Sequence, residues 1–203
     1  MRIILASQSP RRKQLLSLLG VEFEIIPAKG EEIIKEDLSF GEIVTEIAKE
    51  KAFEIYRQTS GDRVIIASDT VVEYQGEIMG KPKNEADAIR MLQTLRGTKH
   101  YAYTGLYILV EKDGVLTEHE NFDEIEVYFK NYSDELIERY VASGEPMDKA
   151  GAYTIQGIGA VLLEKINGNP AAITGMSIEK ITDVFLKENI PFLQFDKPIN
   201  IYK

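Results

Sequence analysis

The stretch Val64-Ile65-Ile66-Ala67-Ser68-Asp69-Thr70-Val71-Val72 decides how this chain is read. Residues 64–68 form a nearly continuous apolar run, the pattern of a central strand buried on both faces of a sheet. Residues 70–74 and 77–79 read as a hairpin turning at Gln75-Gly76. Asp69 stands between the two. A carboxylate in such company has to be paired, metal-bound or placed at a strand end facing a cleft, because an isolated buried charge is too costly to keep. A structural strand-end anchor satisfies the same pattern, so the residue alone leaves both roles open.

Upstream, residues 2–6 read as a short buried strand, and Ser9-Pro10 as an N-cap followed by proline at the first helical position. Leu15, Leu16, Leu18 and Leu19 give that helix its apolar side, and Gly20 can end it. Residues 21–27 suggest a second strand. Residues 40–58 are the clearest amphipathic helix, with Ile43, Ile47, Ile55 and Val44, Ala48, Ala52, Tyr56 in rows at helical spacing. Downstream, Glu85 to Leu95 is helical, and 101–110 and 122–130 alternate as strands. A helix follows Ser133, a strand covers 160–166 with a turn at Asn167-Gly168-Asn169-Pro170, and a last helix covers 177–188. Strands and helices alternate without a regular βαβ rhythm. The expectation is an α/β or α+β fold, a mixed twisted sheet with flanking helices, in a single domain spanning residues 1–203.

Composition narrows the chemistry. The 203 residues contain no cysteine and two histidines, His100 and His119, so thiolate catalysis and Cys-ligated zinc are excluded. No G-x-S-x-G turn presents a serine. Any metal is expected to be a hard, oxygen-liganded divalent ion such as Mn2+ or Mg2+. A net charge of −9 would repel duplex nucleic acid from the surface as a whole, so stable nucleic-acid binding is not expected. No apolar run is long enough to cross a membrane. The opening Met1–Ser7 meets charge too soon for a signal peptide, and a cytoplasmic location is expected.

Several residues break local rules. Arg11, Arg12 and Lys13 crowd the first turn of the first helix, where cations oppose the helix dipole and where an anion would be welcomed by backbone N–H groups and guanidinium forks. Ser7 and Ser9 add hydroxyls just before it. A solvated basic turn is the plainer reading. Lys51 interrupts the row Ile43, Ile47, Ile55, and snorkelling to water is its commoner explanation. Glu31-Glu32 lies in an acidic loop. Gly80-Lys81-Pro82 offers close backbone approach and a point charge without the spacing of a Walker motif. Residues 151–160 pack three glycines around Gln156, either as a plain turn or as a backbone wall that a planar base can approach.

Taken together these segments resemble the Maf family of nucleotide pyrophosphatases. The resemblance rests on Leu5-Ala6-Ser7-Gln8-Ser9-Pro10-Arg11-Arg12, Ala48-Lys49-Glu50-Lys51-Ala52, Ser68-Asp69-Thr70, Gly80-Lys81-Pro82, and Glu145-Pro146-Met147-Asp148-Lys149-Ala150-Gly151-Ala152-Tyr153 with Ile155-Gln156-Gly157. It implies two lobes around a deep cleft and metal-dependent release of pyrophosphate from a nucleoside triphosphate. It implies that Asp69 is the catalytic acid/base, that Ser7, Arg12, Lys51 and Lys81 handle phosphate, and that Glu32 is an acidic residue of the active site; by their chemistry the carboxylates Asp69 and Glu32 are expected to hold the metal. Arg11, Thr70 and Gln156 match positions that separate substrate branches, and here look like the branch acting on dTTP and UTP. A homodimer is expected by analogy. Where the family often has Gly-Leu-Pro, this chain has Gly175-Met176-Ser177, a departure expected to touch the packing of the last helix and not the chemistry. Two other readings stay open at this point, a non-catalytic nucleotide-binding regulator of cell division and a hydrolase of another phosphorylated metabolite.

Overall fold

The computed structural model describes residues 1–30, 32–35 and 37–195. Its axis is β3 (Arg63–Tyr74), one continuous 12-residue strand where the sequence suggested a strand and a separate hairpin arm. One edge of β3 pairs antiparallel with β5 (Lys99–Lys112) from Arg63 to Glu73. The other edge is divided. β1 (Arg2–Leu5) pairs with it in parallel as far as Ile66, and β4 (Glu77–Met79) pairs antiparallel from Val72 onward. Between them, 67–71 have no strand beside them on that edge among the described residues. Asp69 is therefore not at a strand end, as the sequence implied, but in the middle of a strand at a gap in the sheet.

The remaining elements extend this frame. β2 (Glu24–Ile25) runs parallel to β1 and is much shorter than the 21–27 expected. β6 (Val115–Phe129) pairs with β5, and β7 (Leu163–Asn167) with β6, giving a seven-stranded mixed sheet ordered β2-β1-β3-β5-β6-β7 with β4 on β3. β5 and β6 outrun their expected limits because Asp113 and Gly114, at φ of 52° and 77°, close them into one two-residue hairpin. β7 starts later than residue 160 because Ile158–Leu162 coils into a 3-10 turn.

The helices follow the sequence closely. α1 (Pro10–Ser17) is capped by the Ser9 hydroxyl, which accepts from the Arg12 N–H at 3.5 Å. Leu15, Leu16 and Leu19 of its apolar side are buried, but Leu18 faces solvent. α2 (Phe40–Gln58) begins with a Ser39–Glu42 capping box and has the limits its periodicity predicted. α3 (Glu85–Leu95), α4 (Asp134–Ala142) and α5 (Ile178–Lys187) complete the set.

Alternation along β3 divides the core. Val64 and Ile66 pack with α1 and α5, through Leu16, Ile181 and Phe185, while Ile65 and Ala67 face α2, through Ala48, Ala52 and Ile55. Burying each such large aliphatic side chain contributes about 1.5–3 kcal/mol. Past the gap, Val72 enters a third cluster with Leu92, Phe129, Tyr140 and Tyr153, which holds α3, α4 and the 3-10 turns between Glu145 and Leu162. The two lobes meet at Asp69. By the same alternation its carboxylate lies on the α2 face. Its partner across the ladder is Gly105, where any side chain would strike the α2 backbone at Val44, so the glycine lets α2 sit close to the sheet beside Asp69.

Candidate active site

The gap in β3 opens into a cleft of about 930 Å3. Ser7, Arg11, Arg12, Glu32, Lys51, Asp69, Thr70, Lys81 and Gln156, all singled out from the sequence, line it. Glu31, considered with Glu32, lies outside the described residues.

Lys51 organises the floor. Its ammonium donates to Asp69 Oδ1 and to Glu32 Oε1, each at 2.6 Å. Lys51 therefore meets partners and does not snorkel; α2 rides low on the sheet at Gly105, and the stem reaches the gap before it reaches water. The Asp69 side chain is only 9% exposed, whereas that of Glu32 is 56% exposed, so Glu32 closes the ion cluster from the solvent side. Burial pushes the Asp69 pKa up, against the pull of Lys51 and Arg12 and with the help of the Glu32 charge. For Glu32, burial acts upward too, but the Lys51 hydrogen bond and charge, with Lys81 and Arg12, bring it below its ordinary value. The two carboxylates are thus shifted in opposite directions, Asp69 toward holding a proton and Glu32 away from it.

Arg12 joins the two ends of the chain. Its Nε donates to the Gly175 carbonyl at 2.9 Å and its Nη1 to Ser7 Oγ at 3.4 Å. The Ser68 hydroxyl also lies 2.7 Å from the Gly175 carbonyl and 2.7 Å from that of Gly105. The segment Gly175-Met176-Ser177, expected to be remote from the chemistry, is therefore tied to the site by its backbone; Met176 and Ser177 are fully buried beneath it. Burial works against the charge of both Arg11 and Arg12, and Arg11 Nε is buried without a hydrogen-bond partner among the described residues. Guanidinium groups stay ionised in proteins, so these are under-solvated cations aimed at a cleft. Lys81 is exposed at the rim, and its loop is held to the opposite wall by the hydrogen bond from Gly151 N to Gly80 O at 3.1 Å. A chain with net charge −9 thus lines this cleft with five cations, Arg11, Arg12, Lys51, Lys81 and Lys149, against the carboxylates Glu32, Asp69, Glu145 and Asp148, of which Asp69 is the buried one.

The other side of the cleft combines backbone and neutral groups with Glu145, Asp148 and Lys149, and the charges of Asp148 and Glu145 act on Arg11 across it. Thr104 donates its hydroxyl proton to Ala172 O at 2.8 Å, so in its 2.9 Å contact with Thr70 the Thr70 hydroxyl is the donor. Thr70 therefore presents lone pairs, not a proton, to the cleft. Gln156 is exposed on a loop whose backbone is fastened at several points, its own N–H donating to Thr154 Oγ1 at 3.2 Å. Behind this wall the His100 ring lies 3.0 Å from the Tyr153 hydroxyl, and burial lowers its pKa to about 3. Two residues that matter to this geometry, Ser68 and Glu145, stand in segments that carry the family resemblance but take no role from the sequence: locally Ser68 reads as any polar residue in a strand, and Glu145 as the start of a turn two residues after Ser143.

Glu32 and Asp69 flank the Lys51 ammonium, which takes one oxygen of each and leaves the other oxygen of each carboxylate without a hydrogen bond to Lys51. Among the described residues no group of three or more His, Asp or Glu side chains is placed to hold a metal ion by itself. A hard divalent ion fits such a pair if oxygens of a bound phosphate complete its shell, the usual manner of magnesium. Among the described residues no helix is long and apolar enough to cross a membrane.

A mixed α/β fold with a buried, lysine-held carboxylate in a guanidinium-lined cleft defines a site suited to a polyanion. The chain belongs to the Maf family, described as Maf-like protein, which matches residues 2–188. It is 45% identical over 192 residues to the dTTP/UTP pyrophosphatase of Aquifex aeolicus (strain VF5), covering 94% of this chain and 97% of that one. It is 42% identical over 193 residues to the dTTP/UTP pyrophosphatase of Agathobacter rectalis (strain ATCC 33656), covering 89% and 94%. It is 43% identical over 189 residues to the dTTP/UTP pyrophosphatase of Bacillus cereus (strain AH820), covering 93% and 96%.

Proposed function

We propose that this cleft hydrolyses a nucleoside triphosphate, UTP or dTTP by preference, to the monophosphate and pyrophosphate. The observation that carries the reading is Asp69, a carboxylate buried in mid-strand with its Oδ1 held by Lys51 and its proton affinity raised by burial. Oδ1 is engaged, so Oδ2 is the atom that takes a proton from the attacking water. A carboxylate of raised pKa is a better general base than an ordinary one at neutral pH. The triphosphate brings about four negative charges that must be balanced before water can attack. Arg12, Lys51 and Lys81 offset them, with Arg11 beside them and the Ser7 hydroxyl as a further donor. Glu32 and Asp69 would also hold Mn2+ or Mg2+, which supplies Lewis-acid charge stabilisation at phosphoryl oxygens. No covalent nucleophile is required. Thr70 and Gln156 shape the part of the cleft away from the cation cluster, and the names of the relatives support a uracil or thymine base there. Such a substrate also fits a cytoplasmic protein.

The test is a panel of ribo- and deoxyribonucleoside triphosphates incubated with the purified protein and Mn2+ or Mg2+, with products resolved and counted. UTP and dTTP are expected to give monophosphate and pyrophosphate in equal amounts, with activity lost in EDTA and restored by the ion. Orthophosphate as the product would overturn the assigned bond. Full turnover by thoroughly metal-stripped protein would overturn the metal requirement.

A further inference from the structure

Lys149 stands in the cleft wall between two 3-10 turns and takes no part in the chemistry assigned to Asp69. Its backbone is fixed, its N–H donating to Pro146 O at 3.0 Å and, two residues on, Gly151 N donating to Gly80 O at 3.1 Å. Its side chain is 13% exposed, and among the described residues its ammonium meets one carboxylate, that of Asp148, which is 72% exposed. Burial raises the Asp148 pKa, but the Lys149 hydrogen bond and charge, with the Arg11 charge, bring it below its ordinary value. Asp148 thus stands between two cleft cations, and Arg11 Nε is itself buried without a hydrogen-bond partner among the described residues. Glu145, the other wall carboxylate, is committed to the backbone N–H groups of Ile158 at 3.0 Å and Gly159 at 2.8 Å.

Charge and exposure both turn this pair toward the substrate. The five cations of the cleft exceed its four carboxylates by one. A triphosphate brings about four negative charges, a difference that one divalent ion does not close. Lys51 already serves Asp69 and Glu32. Further positive charge must therefore be uncovered as the nucleotide enters. An exposed carboxylate can exchange a lysine for water at little cost. An ammonium on a packed stem reaches water less easily and needs another acceptor. Phosphate oxygens provide one, in a charge-assisted bond. We propose that Lys149 is a further phosphate-binding cation of this cleft, exchanging Asp148 for a phosphate oxygen when the nucleotide binds. Asp148 is then a competitor that loosens the hold on the triphosphate and on released pyrophosphate. This rests on reading the cleft as a site for a nucleoside triphosphate.

Lys149→Met keeps the packed stem and removes the charge, while Asp148→Asn keeps the shape and frees the lysine. The measurements are kcat and KM for UTP, the affinity for inorganic pyrophosphate by calorimetry, and melting temperature, on wild type, both variants and the double variant. Lys149→Met is expected to raise KM about tenfold with kcat changed less, the mark of a contact made alike in ground and transition states, and to weaken pyrophosphate by a similar factor. Asp148→Asn is expected to move both the other way, by about threefold, and the double variant to lose most of that gain. Unchanged KM and pyrophosphate affinity in a folded Lys149→Met variant overturns the inference. So does an Asp148→Asn variant that weakens both, which marks the pair as a brace within the turn. A gain that survives in full in the double variant assigns it to Arg11 and also overturns the inference. Should Lys149→Met fail to fold, the direction of the Asp148→Asn shift decides, tightening for the exchange and weakening against it. A wild type that turns over no nucleoside triphosphate refutes the hydrolytic reading itself, and the pyrophosphate titrations still decide Lys149.

Discussion

Asp69, Lys51 and Arg12 stand on a strand paired to β5 along its length and on two helices, β3, α2 and α1, whereas the facing wall, Glu145–Leu162, consists of three short 3-10 turns that expose backbone and lean on side chains for support. The floor holds its charges on regular elements, and the wall holds Glu145, Asp148 and Lys149 on turns. Regular elements can hold a charged side chain to within a fraction of an ångström, here because the β3–β5 ladder behind it is continuous. A turn-rich segment brings N–H and C=O groups to a ligand, but only if its unpaired groups find other partners, as Ile158 and Gly159 do at Glu145. Loss of function should therefore differ in kind between the two sides: turnover at the floor, nucleotide affinity at the wall.

The sharpest way to break this contrast is Asp69→Asn. It keeps the shape and removes both the charge and the proton acceptor, so turnover should fall roughly a hundredfold or more. Nucleotide binding should persist or tighten, since one negative charge facing the triphosphate is gone. Burial already disfavours the Asp69 charge, so the melting temperature should hold or rise. Steady-state rates, nucleotide affinity and melting on one preparation check all three, and near-normal turnover would end the catalytic assignment.

Arg12→Ala comes next, because Arg12 belongs to the floor yet reaches the chain before α5 through Gly175 O. Transition-state stabilisation should drop by about 2–5 kcal/mol, as for a desolvated charge partner. α1 itself should not weaken, since a cation leaves its positive end. Gly175 O keeps the Ser68 hydroxyl, so melting should shift little. Unchanged kcat/KM in a folded variant would show the basic turn to be merely solvated.

The smallest effect on turnover is expected behind the wall, at His100. Its pKa falls from 6.5 to about 3 on folding, because burial disfavours the imidazolium. Between those two values the unfolded chain takes up a proton that the folded chain refuses. Stability therefore rises with pH across that window and levels off above it, with a slope of at most about 1.4 kcal/mol per pH unit from this residue. His100→Phe should flatten that part of the profile, measured by denaturant unfolding at a series of pH values. An equally steep profile in the variant would place the acid sensitivity elsewhere.

Much of this was legible in the chain alone. The 40–58 helix kept its limits because a 19-residue amphipathic pattern with a capping box overdetermines them. The cleft-lining side chains were legible because each broke a local rule or matched a family segment. Local periodicity says nothing, however, about what a residue meets across the sheet. That Asp69 lies in mid-strand depends on β1 ending at Leu5 and β4 beginning only opposite Val72, which leaves the edge of β3 open between them. That Lys51 finds two carboxylates instead of water depends on Gly105 admitting α2 close to β5. The reach of Arg12 to Gly175 across 163 residues, and of Glu145 to Gly159 across a turn, likewise exists only after strands and helices have packed. Side-chain chemistry and helical phase are written residue by residue, so the sequence alone determined which donors, cations and carboxylates the cleft can draw on. Which of them touch is settled by strand pairing and close approach between elements distant in the chain, and that belongs to the tertiary structure.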